Sequence, residues 1–285
     1  NIREAFSKLE LLVVHDNFLK GTGPLADYVL PLATYLECTE AFCHIGLPFI
    51  ALQNQATEPM GECWPIAKFV TELCKRLGYK QYFNWSTEEE RLNDLLSPRG
   101  ITVEHLREKP GGVFYMSKTH WSYEKNGFPT PSGKVELYSS TLEKLGYDPL
   151  PAFTEPDESP LSQPDLAREY PLVLTTGARL VTFTHSYQRN MPSLLRREPF
   201  PKVEINPRTA ASLGIEDSEY VIVETRRGGI KVKACLTDDI VAGAVQITHG
   251  WSQANVNELT DSGQRDPILG YPSLRGLLCR IRKVN

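Results

Sequence analysis

Between Thr175 and Asn190 the chain gathers more hydrogen-bonding equipment than a connecting turn requires. Thr175 and Thr176 bring hydroxyls, and Gly177 brings a backbone that can come close to a ligand. Arg179, His185, Ser186, Gln188, Arg189 and Asn190 follow with guanidinium, imidazole, hydroxyl and amide groups. Guanidinium groups make charge-assisted bonds to phosphate and carboxylate oxygens. The chemistry this points to is recognition of a large, polar, anionic molecule, and no residue is assigned a catalytic or metal-ligating role. The plainer alternative is a buried strand at Leu172–Leu174, a turn and a polar loop. What surrounds the stretch decides between them.

The elements that would position these groups read as a compact all-β unit. Lys202–Ile205 is a strand candidate, and Asn206-Pro207 then supplies an N-cap and a first-turn proline for a short helix that stops at Gly214. Tyr220–Thr225 and Ile230–Leu236 are β-rich runs joined by Arg226-Arg227-Gly228-Gly229, a hairpin signal. Ala244–Thr248 and Leu277–Arg282 supply two more strands. Short strands at near-regular spacing with one-turn helices suggest a small barrel.

In their order and spacing, these residues resemble the C-terminal domain of the molybdopterin oxidoreductases of the dimethyl sulfoxide reductase superfamily. The matching runs are Leu174-Thr175-Thr176-Gly177, His185-Ser186, Val203-Glu204-Ile205-Asn206-Pro207, Leu213-Gly214-Ile215, His249-Gly250-Trp251, Asn257-Glu258-Leu259-Thr260 and Leu278-Cys279-Arg280-Ile281. The resemblance implies that residues 170–285 form a six-stranded double-psi β-barrel that binds molybdopterin guanine dinucleotide. It assigns Thr175, Thr176 and Gly177 to the pyrophosphate or pterin edge, and His185, Ser186 and Arg189 to the pterin. Asn257 is assigned to a pterin amide edge. His249 and Trp251 either line the cofactor cleft or pack at a strand end. The family arginine usually follows the glycine directly, whereas here Ala178 stands before Arg179.

The N-terminal half is read as part of an α/β domain over residues 1–150. Leu9–Val14 is an apolar strand candidate ending at His15-Asp16-Asn17, and Ala26–Pro31 holds a second. The run Ala26-Asp27-Tyr28-Val29-Leu30-Pro31 is similar to the family's segment that helps hold a guanosine end, and Asp16 is carried over as a guanine- or ribose-facing acceptor. Lys20-Gly21-Thr22-Gly23 departs from the family's usual run there. Pro65, Gly78 and the stripe Ile66, Phe69, Val70, Leu73, Cys74 and Leu77 predict a helix with a core face. Ser86–Glu89 predicts a capping box opening a second helix toward Leu96. Residues 97–135 read as irregular, and the prolines of residues 151–169 predict an extended linker between the two parts.

Composition narrows the partners. A net charge of −4 with only isolated Arg196-Arg197 and Arg226-Arg227 pairs argues against nucleic acid. No apolar run approaches the roughly 18 residues of a membrane span, so direct membrane insertion is not expected. Cys38, Cys43, His44 and Cys63 fit no common zinc spacing. The family's N-terminal cysteine cluster for a [4Fe–4S] centre and its metal ligand are not identifiable, which suggests the C-terminal portion of a longer chain. The resemblance then implies a molybdenum or tungsten enzyme whose other partners are the N-terminal portion and an iron–sulfur electron-transfer subunit. This polypeptide by itself is expected to be inactive. The compartment stays open between prokaryotic cytoplasm and periplasm. The run around His185 looks most like the branch of thiosulfate, polysulfide and arsenate reductases and the acetylene hydratase type. The alternatives are a double-psi barrel module for binding or assembly, without a redox role, and a barrel enzyme of a decarboxylase type.

Overall fold

The structure is a computed structural model describing residues 2–43, 46–116, 120–178, 180–260, 263 and 265–284; Arg179 and His44 lie outside the described residues. The chain divides into two compact units, Ile2–Leu150 and Pro151–Asn285.

The first unit opens with helix α1 (Ile2–Ser7) and strand β1 (Val13–Asp16), which pairs in parallel with β2 (Tyr28–Pro31) from Val13↔Tyr28 to Asp16↔Pro31. The strand expected over Leu9–Val14 thus begins later. The Asp27 carboxylate accepts the Leu12 N–H at 2.7 Å, the ladder starts after that bond, and Leu9 and Leu11 stay exposed. Strands β3 (Glu40–Cys43), β4 (Phe49–Gln53) and β5 (Val113–Phe114) form an antiparallel sheet.

Helix α2 (Ile66–Cys74) runs into a wide turn, Lys75–Tyr79, where Gly78 takes a φ of 91°. The stripe expected to be core is largely solvent-facing: Ile66, Val70, Leu73 and Leu77 are exposed, because among the described residues little packs against that face. Helix α3 (Glu88–Leu96) is capped one residue later than the sequence suggests. The Thr87 hydroxyl accepts the Glu90 N–H at 3.1 Å, while the Glu90 carboxylate reaches back to the Ser86 N–H at 2.7 Å. Residues 97–135, read as irregular, hold helix α4 (Val103–Glu108), β5 and helix α5 (Ser122–Asn126); α6 (Ser140–Lys144) follows. A small core gathers Ile50, Leu92, Leu96, Ile101, Val103 and Leu106.

The second unit is a closed six-stranded β-barrel. After helix α7 (Pro164–Glu169) come β6 (Leu172–Ala178), helix α8 (Pro192–Leu195), β7 (Lys202–Ile205), helix α9 (Pro207–Leu213), β8 (Tyr220–Thr225), β9 (Gly228–Leu236), β10 (Ala244–Thr248) and β11 (Arg275–Lys283). Around the barrel the order is β10-β6-β11-β8-β9-β7. The pairs β6–β10 and β7–β9 are parallel and the others antiparallel. Alternation along β8 and β9 sends Val221, Val223, Ile230 and Val232 into a core shared with Leu174, Val203, Ile205 and Ile247. The Asn206 side chain caps α9 by accepting the Arg208 N–H at 3.0 Å, and Gly214 ends it in the left-handed region. The proline-rich stretch of residues 151–169 is part of this unit, and Glu158 and Ser159 within it are buried.

Candidate functional site

Parallel pairing of β6 with β10 brings the carboxyl ends of both strands to one side, with Thr248 opposite Ala178 across a register shift. Two loops leave from there: residues 180–191 after β6, and 249–251 after β10. Their meeting point is crowded. His185 takes a φ of 56° and Gln188 one of 62°, which turns the first loop back on itself. Gly250 has a φ of 96°, and a Cβ placed there would collide with the His185 carbonyl and the Ser186 nitrogen. A glycine is therefore what lets the two backbones touch.

Arg189 is the pin of this junction. It is only 5% exposed, and one terminal nitrogen donates to the carbonyls of His185 at 3.2 Å and His249 at 3.1 Å. Its guanidinium lies 4.2 Å from the Phe183 ring centre and 3.9 Å from that of Trp251, so aromatic faces supply much of its stabilisation. The Nε and Nη1 groups of Arg189 and the Trp251 Nε1 are buried without a hydrogen-bond partner among the described residues. Burial pulls the Arg189 pKa down to about 10, with Glu198 opposing slightly, so the group remains cationic near neutrality. Above this pin, His185 Nδ1 and His249 Nε2 share a hydrogen bond, their rings 4.7 Å apart.

The structure thus brings His185, Ser186, Arg189, His249 and Trp251 into one cluster, with His185 and Ser186 exposed. Thr175 is half-buried and Gly177 has a φ of 87° with open space where a Cβ would stand. Thr176 serves the barrel instead: its buried hydroxyl donates to the Leu274 carbonyl at 2.7 Å, where its own N–H also binds at 3.1 Å. Asn257 is exposed on a one-turn 3-10 helix (Val256–Leu259), with its N–H held by the Asn255 side chain at 3.1 Å. Asp16 stands in the other unit, exposed, accepting the Phe18 N–H at 3.3 Å. Arg179 lies outside the described residues.

Sequence reasoning missed Phe183, whose ring carries half of the arginine's cage. An aromatic two residues before His185 was the available signal. It also passed over His15, which lines a cavity of about 410 Å³ with Leu30, Pro31, Trp64, Phe69 and Arg76, its Nε2 3.1 Å from the Pro31 carbonyl.

Two family models match: molybdopterin oxidoreductase over residues 1–76 and the molydopterin dinucleotide binding domain over residues 172–278. Acetylene hydratase of Syntrophotalea acetylenica is 37% identical over 97% of this chain and 40% of its own length. The F420-dependent formate dehydrogenase subunit alpha of Methanocaldococcus jannaschii is 30% identical over 100% of this chain and 41% of its own. The solved acetylene hydratase from Pelobacter acetylenicus superposes with a TM-score of 0.87 at 35% identity, over 99% of this chain and 41% of that one. The chain spans about two-fifths of the length of the relatives it matches.

Proposed function

The chain belongs to the molybdopterin oxidoreductases of the dimethyl sulfoxide reductase superfamily, and from that premise we propose that the junction of residues 183–189 with 249–251 holds the cofactor's pterin–pyrophosphate region. The observation that carries this is the buried Arg189 guanidinium, with two nitrogens unmet beside an unmet Trp251 indole N–H. A buried cation with spare donors is unfavourable unless an anionic or polar group completes it. A molybdopterin dinucleotide, with its pyrophosphate and its many pterin acceptors, is chemically suited to that donor set.

Each residue then has a physical task. Arg189 supplies positive charge beneath the loops, His185 and Ser186 present exposed donors, and Gly177 offers a backbone without an obstructing side chain. Thr175 and Asn257 are assigned polar contacts through their family positions. Asp16 is assigned to a guanosine end through its family position. The cofactor itself supplies the redox-active metal, molybdenum or tungsten, while this chain binds and orients it. To the family's segments that this chain does not span we assign a [4Fe–4S] centre, the metal ligand and the contacts to an electron-transfer subunit. The double-psi topology is supported by the two parallel pairs, β6–β10 and β7–β9, within a closed six-strand ring. The membership disfavours an assembly module without a cofactor.

The test is cofactor content in the full-length protein. His185→Ala and Ser186→Ala are expected to lower the pterin and guanine released per chain on denaturation, by roughly one order of magnitude in affinity for each lost charge-assisted or polar bond. Wild-type pterin content in both variants would refute the assignment.

A further inference from the structure

The segment ahead of the barrel carries a buried carboxylate that cofactor recognition does not call on. Glu158 is 2% exposed. Its Oε1 accepts the Leu278 N–H at 2.9 Å and an Arg227 nitrogen at 3.1 Å, while Oε2 accepts the other Arg227 nitrogen at 2.7 Å. Arg226 stands 3.4 Å from the same oxygen. A carboxylate this buried persists only where donors surround it, and here it has a two-pronged guanidinium and a backbone N–H. What it grips matters more than the bond itself.

Arg227 lies in the two-residue turn between β8 and β9. Next to it, the Thr225 hydroxyl donates to the Leu259 carbonyl at 2.9 Å and accepts the Arg227 N–H at 3.2 Å. A Cβ on Gly228 would stand 2.7 Å from the Glu258 carbonyl, so the hairpin backbone rests directly on the 3-10 turn that presents Asn257. Leu278 lies in β11, and just ahead of that strand the Leu274 carbonyl holds both the N–H and the hydroxyl of Thr176 at the end of β6. One buried carboxylate is therefore tied to the hairpin that rests on the Asn257 turn and to the strand that pairs with the end of β6. We propose that Glu158 is a positioning residue for cofactor binding. It sets the β8–β9 hairpin against the turn carrying Asn257, and β11 against the end of β6. The inference rests on the cofactor reading of the barrel.

The experiment uses the full-length protein with Glu158→Gln, Glu158→Asp and His185→Ala side by side. Amide hydrogen exchange and released pterin are measured on each. For Glu158→Gln, exchange at residues 225–228 and 256–260 should quicken by roughly tenfold, while β7 and β10 amides keep their protection. Pterin content should fall, and Glu158→Asp should recover part of both. If Glu158→Gln loosens 256–260 but retains the cofactor while His185→Ala loses it, the positioning role is wrong and the cofactor reading stands. If neither variant loses pterin, the cofactor reading itself fails, and the positioning role with it. Uniformly faster exchange across all six strands would make Glu158 a plain stability residue and overturn the proposal. Should Glu158→Gln not accumulate, Thr225→Val removes the hairpin-to-turn bond and the Arg227 N–H bond while keeping both side chains of the buried ion pair. It must reproduce the local loosening and pterin loss, or the proposal falls.

Discussion

At the scale of single residues, Arg189 serves both loop packing and charge. Removing the side chain by Arg189→Ala leaves a gap between Phe183 and Trp251 and frees two carbonyls, against which the relief of burying a charge counts in the other direction. Packing and hydrogen bonding should prevail, with a loss of about 2–3 kcal/mol in the cofactor-free protein by denaturant unfolding. The sign with pH follows from the shift to about 10, well below the ordinary guanidinium range. A base whose folded pKa is depressed burdens the fold fully below about pH 10, and the burden lifts as the pH rises above that value. An anionic ligand relieves the same burden, so cofactor-linked stabilisation measured by thermal shift should shrink above pH 10. Gly250→Ala is expected to be worse than Arg189→Ala. It adds a clash with the His185 carbonyl to a left-handed backbone, and a loss of about 2–4 kcal/mol should appear as a lowered Tm. The polar composition of the 175–190 loop was legible from residue types alone. The burial of Arg189 was not, because it depends on Trp251 and Gly250 arriving from a strand some sixty residues onward.

At the scale of elements, the barrel was largely legible and the first unit only in part. β7 and β10 fall where the alternation and flanking glycines put them, and the Asn206 cap and Gly214 stop bound α9 as the local chemistry dictates. In the first unit the capping box shifted by a residue, because Ser86 and Thr87 compete for the same task and three glutamates follow. A second box holds the short 3-10 helix Tyr35–Glu37: the Glu37 carboxylate accepts N–H bonds from Thr34 at 2.6 Å and Met60 at 2.8 Å. Those backbone donors, Thr34 first, hold its pKa below the ordinary 4.5. A depressed carboxylate contributes its stability above pH 4.5 and loses it as the pH falls below that value. The protection factor of the Met60 amide, its exchange rate referred to the intrinsic rate at each pH, should therefore fall on acidification below pH 4.5 in the wild type. In Glu37→Gln that factor should be low already at pH 6 and insensitive to acid. An acid-insensitive protection factor in the wild type would contradict the assignment.

At the scale of the molecule, the two units carry unequal cores. The second unit closes its sheet on itself and fills the interior with fully buried aliphatic side chains. Among its described residues the first pairs only two strands in parallel and leaves Val13, Val29, Val70 and Leu73 exposed, an arrangement parallel sheets rarely tolerate. Residues 151–285 expressed alone should unfold cooperatively, whereas residues 1–150 alone should bind an apolar-surface dye strongly. Equal dye binding by both would argue against the contrast.

The closed ring also sets a schedule for synthesis. Strand β6 finds its neighbours only in β10 and β11, the last two strands of the barrel, and the first of them is complete roughly 75 residues after β6 begins to emerge. At ~5–20 residues per second, the nascent chain carries an unpaired strand with an apolar first half for about 4–15 s. During that interval a chaperone has something to hold, and the half-built chain is most open to misassembly. Slowing translation between β9 and β10 should therefore lower the yield of soluble barrel, although the finished protein would be unchanged.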